Sequence, residues 1–380
     1  MLETADGWLA VNLARESDRE MIPAWLEAEA NSETSSRVTD ELWSQIESRL
    51  ASQPTGALLS RARLMGLPVA PVAEAEHGPD EIGSWLQMTP AGTSAEGRAN
   101  RNPLVLDLSS LWAGPLCAHL LGLAGARVIK LESLERPDGA RSGPSDFFDL
   151  INANKASVAL EITSERGRGI LEQLLERADI VIESARPRAL AQLGIVAEEW
   201  LARRSGLTWL SITGYGRSEP EASWVAFGDD AAAAAGLPWA TSRFNERLHG
   251  GSLPPLFCGD AIADPLTGLY AAPAALASWL SCESRLLDIS LCGVVRHILH
   301  DARSPWRAGA SSVGGALSLE SDGAQAWCVR IGDESESVAR PRARPVGAHA
   351  AALGADTDRV LSSLGIEGLE GFEGREGIEA

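Results

Sequence analysis

Lysine is almost missing from this chain. Of 33 basic residues only Lys130 and Lys155 are lysines, and 52 acidic residues leave a formal net charge of −19. A diffuse negative field of that size excludes non-specific binding of nucleic acid or anionic membrane, so a phosphorylated ligand must find a local basic patch. The two lysines that persist are expected to have local reasons. Cysteines are few: five, at 117, 258, 282, 292 and 328, never as Cys-x-x-Cys. That excludes a disulfide framework and a structural zinc site, and a reducing, cytoplasmic compartment fits. None of the six histidines forms a His-Glu-x-x-His pair, and although His297 and His300 share a helix face they lack further ligands, so no metal is expected. Gly-x-Ser-x-Gly, a phosphate-cradling Gly-x-x-x-x-Gly-Lys and a dinucleotide Gly-x-Gly-x-x-Gly are all absent, which argues against hydride transfer in particular. The start has no basic run before its short apolar stretch and reads as mature protein rather than a secretory leader. Residues 265–282 carry no charge, yet Ala, Gly, Ser, Thr and two prolines dominate them, so a buried, closely packed helix is expected there and no membrane span.

What is present is an alternation. "LVLDLS" (104–109), "ARVIKLE" (126–132), "ASVALEI" (156–162), "ADIVIES" (178–184), "LTWLSIT" (207–213) and "SRLLDISL" (284–291) are nearly continuous apolar runs. Such runs suit strands buried on both faces of a parallel sheet. Between them, "GPLCAHLLGLAG", "SERGRGILEQLLERA" and "DPLTGLYAAPAALASWL" read as helices, the second opening on a serine cap. The fold class is therefore α/β: a doubly wound parallel-sheet domain over 103–303, joined by a smaller α+β domain built from both chain ends. Residues 1–75 read as its helical part with a Gly-Leu-Pro stop, 76–102 as a linker, and 304–380 as the remainder of the small domain with a return helix.

The sheet's C-terminal edge should gather loops: 109–114 before Pro115, "INANKAS" (151–157) and "ESARPRALAQLG" (183–194). These place Lys155, Arg186 and Arg188 in loops, as phosphate contacts or as ordinary solvated charges. "FCGDAIADPLTGLYAA" (257–272) sets Asp260 and Asp264 four residues apart at the start of the alanine-rich helix. Asp264 before Pro265 reads as an N-cap followed by an N1 proline, and a helix N-terminus also keeps a carboxylate ionised.

The stretches "VLDLSSLWAGPLCAHLLGLAGARVIKLE", "FFDLINANKASVALEITSERGRGILEQLLERADIVIESARPRALAQLG" and "LTWLSITGYG" resemble the CoA-binding domain of the family III CoA-transferases, over about 103–293. That group includes formyl-CoA transferase, carnitine CoA-transferase and alpha-methylacyl-CoA racemase. The family's Asp-x-x-x-Gly pattern falls on Asp264 and Gly268, so the resemblance implies that Asp264 is a nucleophile attacking an acyl-CoA thioester, while Asp260 lacks the glycine spacing. It further implies a CoA site lined by Leu111, Trp112, Ala113, Lys130, Asn154, Lys155, Ser184, Ala185, Arg186 and Leu193. Acyl-CoA and a small carboxylic acid would be the substrates, with no permanently bound cofactor, in a homodimer that in the family is interlocked.

Departures from the family are equally readable. Phe227 and Gly228 stand where racemases carry the histidine of Gly-His-Asp, and Trp112 stands where formyl-CoA transferase has glutamine. Ala156 replaces an arginine after Asn154 and Lys155, and only "VGGAL" (313–317) offers a glycine-rich loop. Asp229 and Asp230 precede an alanine run and read as helix caps. Residues 6–72 resemble the family's small domain, which normally follows the large one, so the order implies a circular permutation. An inactive acyl-CoA-binding relative and a racemase-like enzyme are the alternatives to a transferase.

Overall fold

The computed structural model describes residues 1–27, 40–74, 84–94, 102–249, 251–309, 317–321, 327–331, 334–339, 342 and 344–366. Compactness divides the chain into two units. One comprises Met1–Gln87, Ile212–Tyr270 and Asp288–Arg344; the other comprises Met88–Ser211, Ala271–Leu287 and Pro345–Ala380. This grouping cuts across the four spans read along the sequence, because packing gathers distant segments.

In the first unit, β1 (Leu2–Glu3), β2 (Trp8–Val11) and β3 (Val69–Pro71) form an antiparallel sheet. Helices Asp40–Leu50 and Thr55–Met65 bury Leu42, Ile46, Leu50, Leu58 and Ala62 around Trp25. The second helix ends where Gly66 takes a left-handed φ of 69°, the expected stop. The alanines 231–234 belong to a helix, Gly228–Ala234, with Ala235 as its C-cap, and Ala233 is buried with Ala10 and Val72. Methyl side chains let that helix approach closely enough for the Ala233 carbonyl to accept from the Ala73 N–H at 3.1 Å.

The large sheet follows the sequence expectation. It contains β4 (Leu86–Ser94), β5 (Leu104–Asp107), β6 (Arg127–Ser133), β7 (Ala156–Leu160), β8 (Ile180–Glu183), β9 (Thr208–Thr213) and β10 (Glu283–Ser290), in the order β4-β10-β9-β8-β5-β6-β7. Neighbours β5–β6, β5–β8, β6–β7 and β8–β9 run parallel. Strand β4 is new relative to the sequence reading, which took 76–102 as linker. It carries Pro90, which cannot donate to a ladder, and it sits at the edge of the sheet, where that is tolerated.

Core residues of β5 to β9 pack with Ile170, Leu171, Leu174 and Leu175 of helix Glu165–Arg177 and with Trp200 and Leu201 of helix Ala197–Arg203. Ser164 caps the former, its Oγ accepting from the Gly167 N–H at 3.0 Å. At the other edge, the C-terminal segment closes β7: the Ser157 N–H donates to Asp356 Oδ2 at 2.9 Å and the Ala159 N–H to Thr357 Oγ1 at 3.1 Å. An edge covered in this way cannot pair with another chain. Three further strands, β11 (Leu317–Ser321), β12 (Trp327–Ile331) and β13 (Glu334–Val338), form an antiparallel sheet. Most of "VGGAL" lies outside the described residues. Among the described residues no helix is long and apolar enough to cross a membrane.

Candidate active site

Strand β5 ends on Asp107, fully buried, and the chain then turns through Ser109, Ser110 and Leu111 into helix Ala113–Leu123. Leu111 has a φ of 69°, a left-handed conformation that costs a branched side chain on the order of 1–2 kcal/mol. Side chains from β6 and the turn that follows it hold it there. Asp138 Oδ1 accepts from the Leu111 N–H at 2.9 Å and from the Ala140 N–H at 3.0 Å, while its Oδ2 accepts from Lys130 Nζ at 2.8 Å. Lys130 also donates to the Ser109 carbonyl at 3.0 Å.

Lys155 works from the other side of the loop. Its ammonium donates to Asp107 Oδ2 at 2.8 Å, to the Pro115 carbonyl at 2.8 Å and to Asn152 Oδ1 at 2.9 Å, using all three protons. Burial opposes ionisation of Asp107, but the Lys155 and Lys130 ammoniums outweigh it and hold the carboxyl below its ordinary range. Burial draws Lys155 down to about 8 in spite of Asp107, so at neutral pH the pair is charged. Both lysines thus have the local reason their scarcity suggested: each braces the β5 loop, and Lys155 is buried rather than a solvated loop charge. Asp107 and Asp138 were missed in the sequence. The available signal was an acid closing the otherwise apolar run "LVLD" in a chain with two lysines.

The remaining loop residues fall beside these. Trp112 sits edge-on to Phe147 with ring centroids 5.1 Å apart. Ala113 is buried, and the added Cβ of an alanine at Gly114 would stand 2.2 Å from Ser109 Oγ, so this turn requires glycine. Ser184 Oγ accepts from the Ser110 N–H at 3.1 Å, which brings the end of β8 to the same loop. Asn154 is exposed at a φ of 66°, a conformation asparagine tolerates well. Arg186 is the exposed N-cap of helix Pro187–Gln192, and Ala185 and Leu193 flank it, half-buried. Arg188 lies inside that helix rather than in a loop, because Pro187 starts the helix at its N1 position.

Asp264 belongs to the other unit. It lies in the first turn of helix Ala263–Leu280, inside the helix and not at its cap. The physical reason is a tight turn just before it: Ala261, at a φ of 45°, accepts the Asp264 N–H at 2.9 Å, and the Ile262 carbonyl already takes the Leu266 N–H at 3.4 Å. Asp229 Oδ1 fixes the turn by accepting the Ala261 N–H at 2.8 Å. Gly228 touches the carboxylate itself. A Cβ on Gly228 would stand 2.3 Å from Asp264 Oδ2 and 2.3 Å from the Ala261 carbonyl oxygen. Gly228→Ala is therefore expected to displace the Asp264 carboxylate and to cost about 1–3 kcal/mol, readable as a fall in the denaturant midpoint; an unchanged midpoint would refute the contact. Asp260 is exposed and Asp264 half-buried.

Asp230 is the second carboxylate of interest. It is fully buried and stands at the third position inside helix Gly228–Ala234 rather than at its cap, reaching back so that its Oδ1 accepts the N–H of Phe227, the N-cap, at 2.8 Å. Among the described residues no group of histidine, cysteine, aspartate and glutamate could hold a metal ion.

Residues 102–293 match the sequence model of CoA-transferase family III. The chain belongs to that family. As a family III member it is 30% identical over 198 residues to succinyl-CoA–D-citramalate CoA-transferase of Chloroflexus aurantiacus, covering 49% of this chain and 48% of that one. It is 39% identical over 127 residues to (R)-2-hydroxy-4-methylpentanoate CoA-transferase of Clostridioides difficile, covering 30% and 32%. Formyl-CoA:oxalate CoA-transferase of Escherichia coli is 30% identical over 186 residues, covering 47% and 43%. The matches thus span less than half the length of these relatives. In fold, the chain is similar to a CaiB/BaiF family protein from Brucella suis, with a TM-score of 0.51 and 24% identity over 62% of this chain and 66% of that one.

Proposed function

We propose that this chain moves CoA from an acyl-CoA to a small carboxylic acid through a covalent intermediate on Asp264. The observation that carries the reading is the setting of Asp264 in a family III chain: a half-buried carboxylate in the first turn of a helix, with glycine backbone against one oxygen. Backbone N–H groups at a helix start favour the ionised form and stabilise charge that develops near it.

In the proposed sequence, an Asp264 oxygen attacks the thioester carbonyl carbon, the C–S bond breaks and CoA leaves as thiolate, giving a mixed anhydride. The thiolate then attacks the Asp264 side-chain carbonyl carbon and expels the first acid as carboxylate, leaving an aspartyl-CoA thioester. The acceptor carboxylate attacks that same carbon, and the released thiolate takes the acceptor's acyl carbon, which frees Asp264. No proton is gained or lost over the cycle, so the step suits a carboxylate that stays ionised.

The CoA site in this reading is the β5 loop with its neighbours: Leu111, Trp112, Ala113, Asn154, Ser184, Ala185, Arg186 and Leu193 as lining, with Lys130 and Lys155 holding the loop in shape. A cytoplasmic homodimer, interlocked as in the family, and a circularly permuted chain belong to the same proposal. Support for the permutation is that residues 1–87 share one compact unit with 212–270 and 288–344.

The test is transfer from succinyl-CoA to a panel of acids, including citramalate, oxalate and 2-hydroxy-4-methylpentanoate, followed by chromatography of the CoA esters. New acyl-CoA products are expected. CoA binding with no exchange for any pair would instead mark an inactive relative.

A further inference from the structure

Beyond β6 the chain makes a short turn, Gly139–Ser142, in the same compact unit as the β5 loop. Asp138 caps this turn and holds the Leu111 N–H. The Leu111 side chain in return lies over the turn, where a Cβ added to Gly139 would stand 3.6 Å from Leu111 Cδ2. A second set of side chains seats the turn itself. Glu132, buried on β6, accepts the Asp138 N–H through Oε1 at 3.0 Å. The same carboxylate receives Arg141 as a fork, Nε to Oε1 at 2.8 Å and Nη2 to Oε2 at 2.6 Å.

Arg141 is committed to protein partners on its other sides as well. Its Nη1 donates to the Ala351 carbonyl at 3.2 Å, its Nη2 reaches Ser157 Oγ at 3.4 Å, and its guanidinium carbon stands 4.5 Å from the ring centroid of Phe148 in helix Ser145–Asn152. Ala351 and Ser157 belong to the closure of the β7 edge, where Ser157 Oγ also accepts the Gly354 N–H at 3.1 Å. Contacts therefore run without a break from the C-terminal segment through Arg141, Glu132 and Asp138 to the backbone of Leu111.

We propose that Arg141 and Glu132 are positioning residues for CoA binding: tied to the C-terminal segment, they seat the Asp138 turn and through it keep Leu111 left-handed at the mouth of the β5 loop. The inference rests on the reading of that loop as the CoA site. An unbraced leucine leaves the left-handed region, which costs it about a tenfold population, and a loop that must return there before CoA binds carries the same factor in its dissociation constant.

Isothermal titration of CoA into the full chain tests this through a double-mutant cycle. Arg141→Met is expected to raise the dissociation constant about tenfold. Leu111→Gly removes the residue that needs bracing, because glycine takes a φ of 69° freely, so in that background Arg141→Met is expected to shift the constant by less than about threefold. Arg141→Lys keeps a cation beside Glu132 without the fork and is expected to raise the constant about threefold with leucine at 111 and to leave it unchanged with glycine there. If Arg141→Met does not fold, the lysine variants decide. Lost stability alone lowers the number of binding sites and leaves the constant where it was, so the constant separates positioning from folding. An unchanged constant in Arg141→Met, or the same rise with leucine and with glycine at 111, overturns the proposal and leaves the transferase reading standing. A wild type that binds no CoA removes both.

Discussion

Replacing Asp264 with asparagine is expected to lower CoA exchange by about 10⁴-fold or more, since an amide of the same shape offers no carboxylate oxygen to attack a thioester. The substitution is nearly isosteric and the side chain half-buried, so folding should survive it and the midpoint of denaturant unfolding should move little. CoA binding should persist as well, because the loops proposed to hold CoA belong to the other compact unit. Asp260→Asn is the matched control. That carboxylate is exposed and lacks the glycine spacing, so exchange should stay within about threefold of wild type, an effect below about 0.7 kcal/mol in the barrier. Residual activity within tenfold in Asp264→Asn, or a collapse in Asp260→Asn, would reverse the assignment.

The largest expected effect on stability is at Lys155. Lys155→Met removes one member of a buried ion pair and leaves Asp107 an ionised, desolvated carboxylate, a change that costs about 3–5 kcal/mol. Three hydrogen bonds go with it, and the β5 loop loses its tie to Pro115 and Asn152. Adding Asp107→Leu should recover much of the loss, because a well-packed apolar pair removes the buried charge. The pH dependence has a definite sign. The folded-state pKa of Asp107 lies below its unfolded value, so its contribution is present above the ordinary carboxylate range and is lost as pH falls through the folded value. Lys155→Met should therefore flatten the acid limb of the stability profile. Urea unfolding at several pH values checks this, and a loss below about 1 kcal/mol would contradict the brace role given to Lys155.

How far the sequence carried the reading depends on the kind of signal. Strands β5 to β10 were legible because each is a short, nearly continuous apolar run, the pattern that burial on both faces imposes. Strand β4 was not, since "LQMTPAGTS" holds a proline and a glycine that only an edge position accommodates. The capped helix at Ser164 was legible from local chemistry alone. Asp264 was singled out by the Asp-x-x-x-Gly pattern of the family it resembles, but its place inside the helix was not legible, because the Ala261 turn that shifts the helix start needs Asp229 from a distant segment to hold it. Long-range pairs were invisible for the same reason. Asp107 meets Lys155 across 48 positions, and nothing local to either residue specifies the other. The division into units was likewise hidden, since segments 212–270 and 288–344 join residues 1–87 through packing that follows no continuous stretch of chain.

The most direct measurement of the central claim is peptide mass mapping after the protein is incubated with succinyl-CoA and quenched with hydroxylamine. The account predicts a single hydroxamate on the peptide carrying Asp264, absent in Asp264→Asn and unaffected in Asp260→Asn. A protein that binds CoA yet shows no modified carboxylate, or that is modified at a residue other than Asp264, would contradict it.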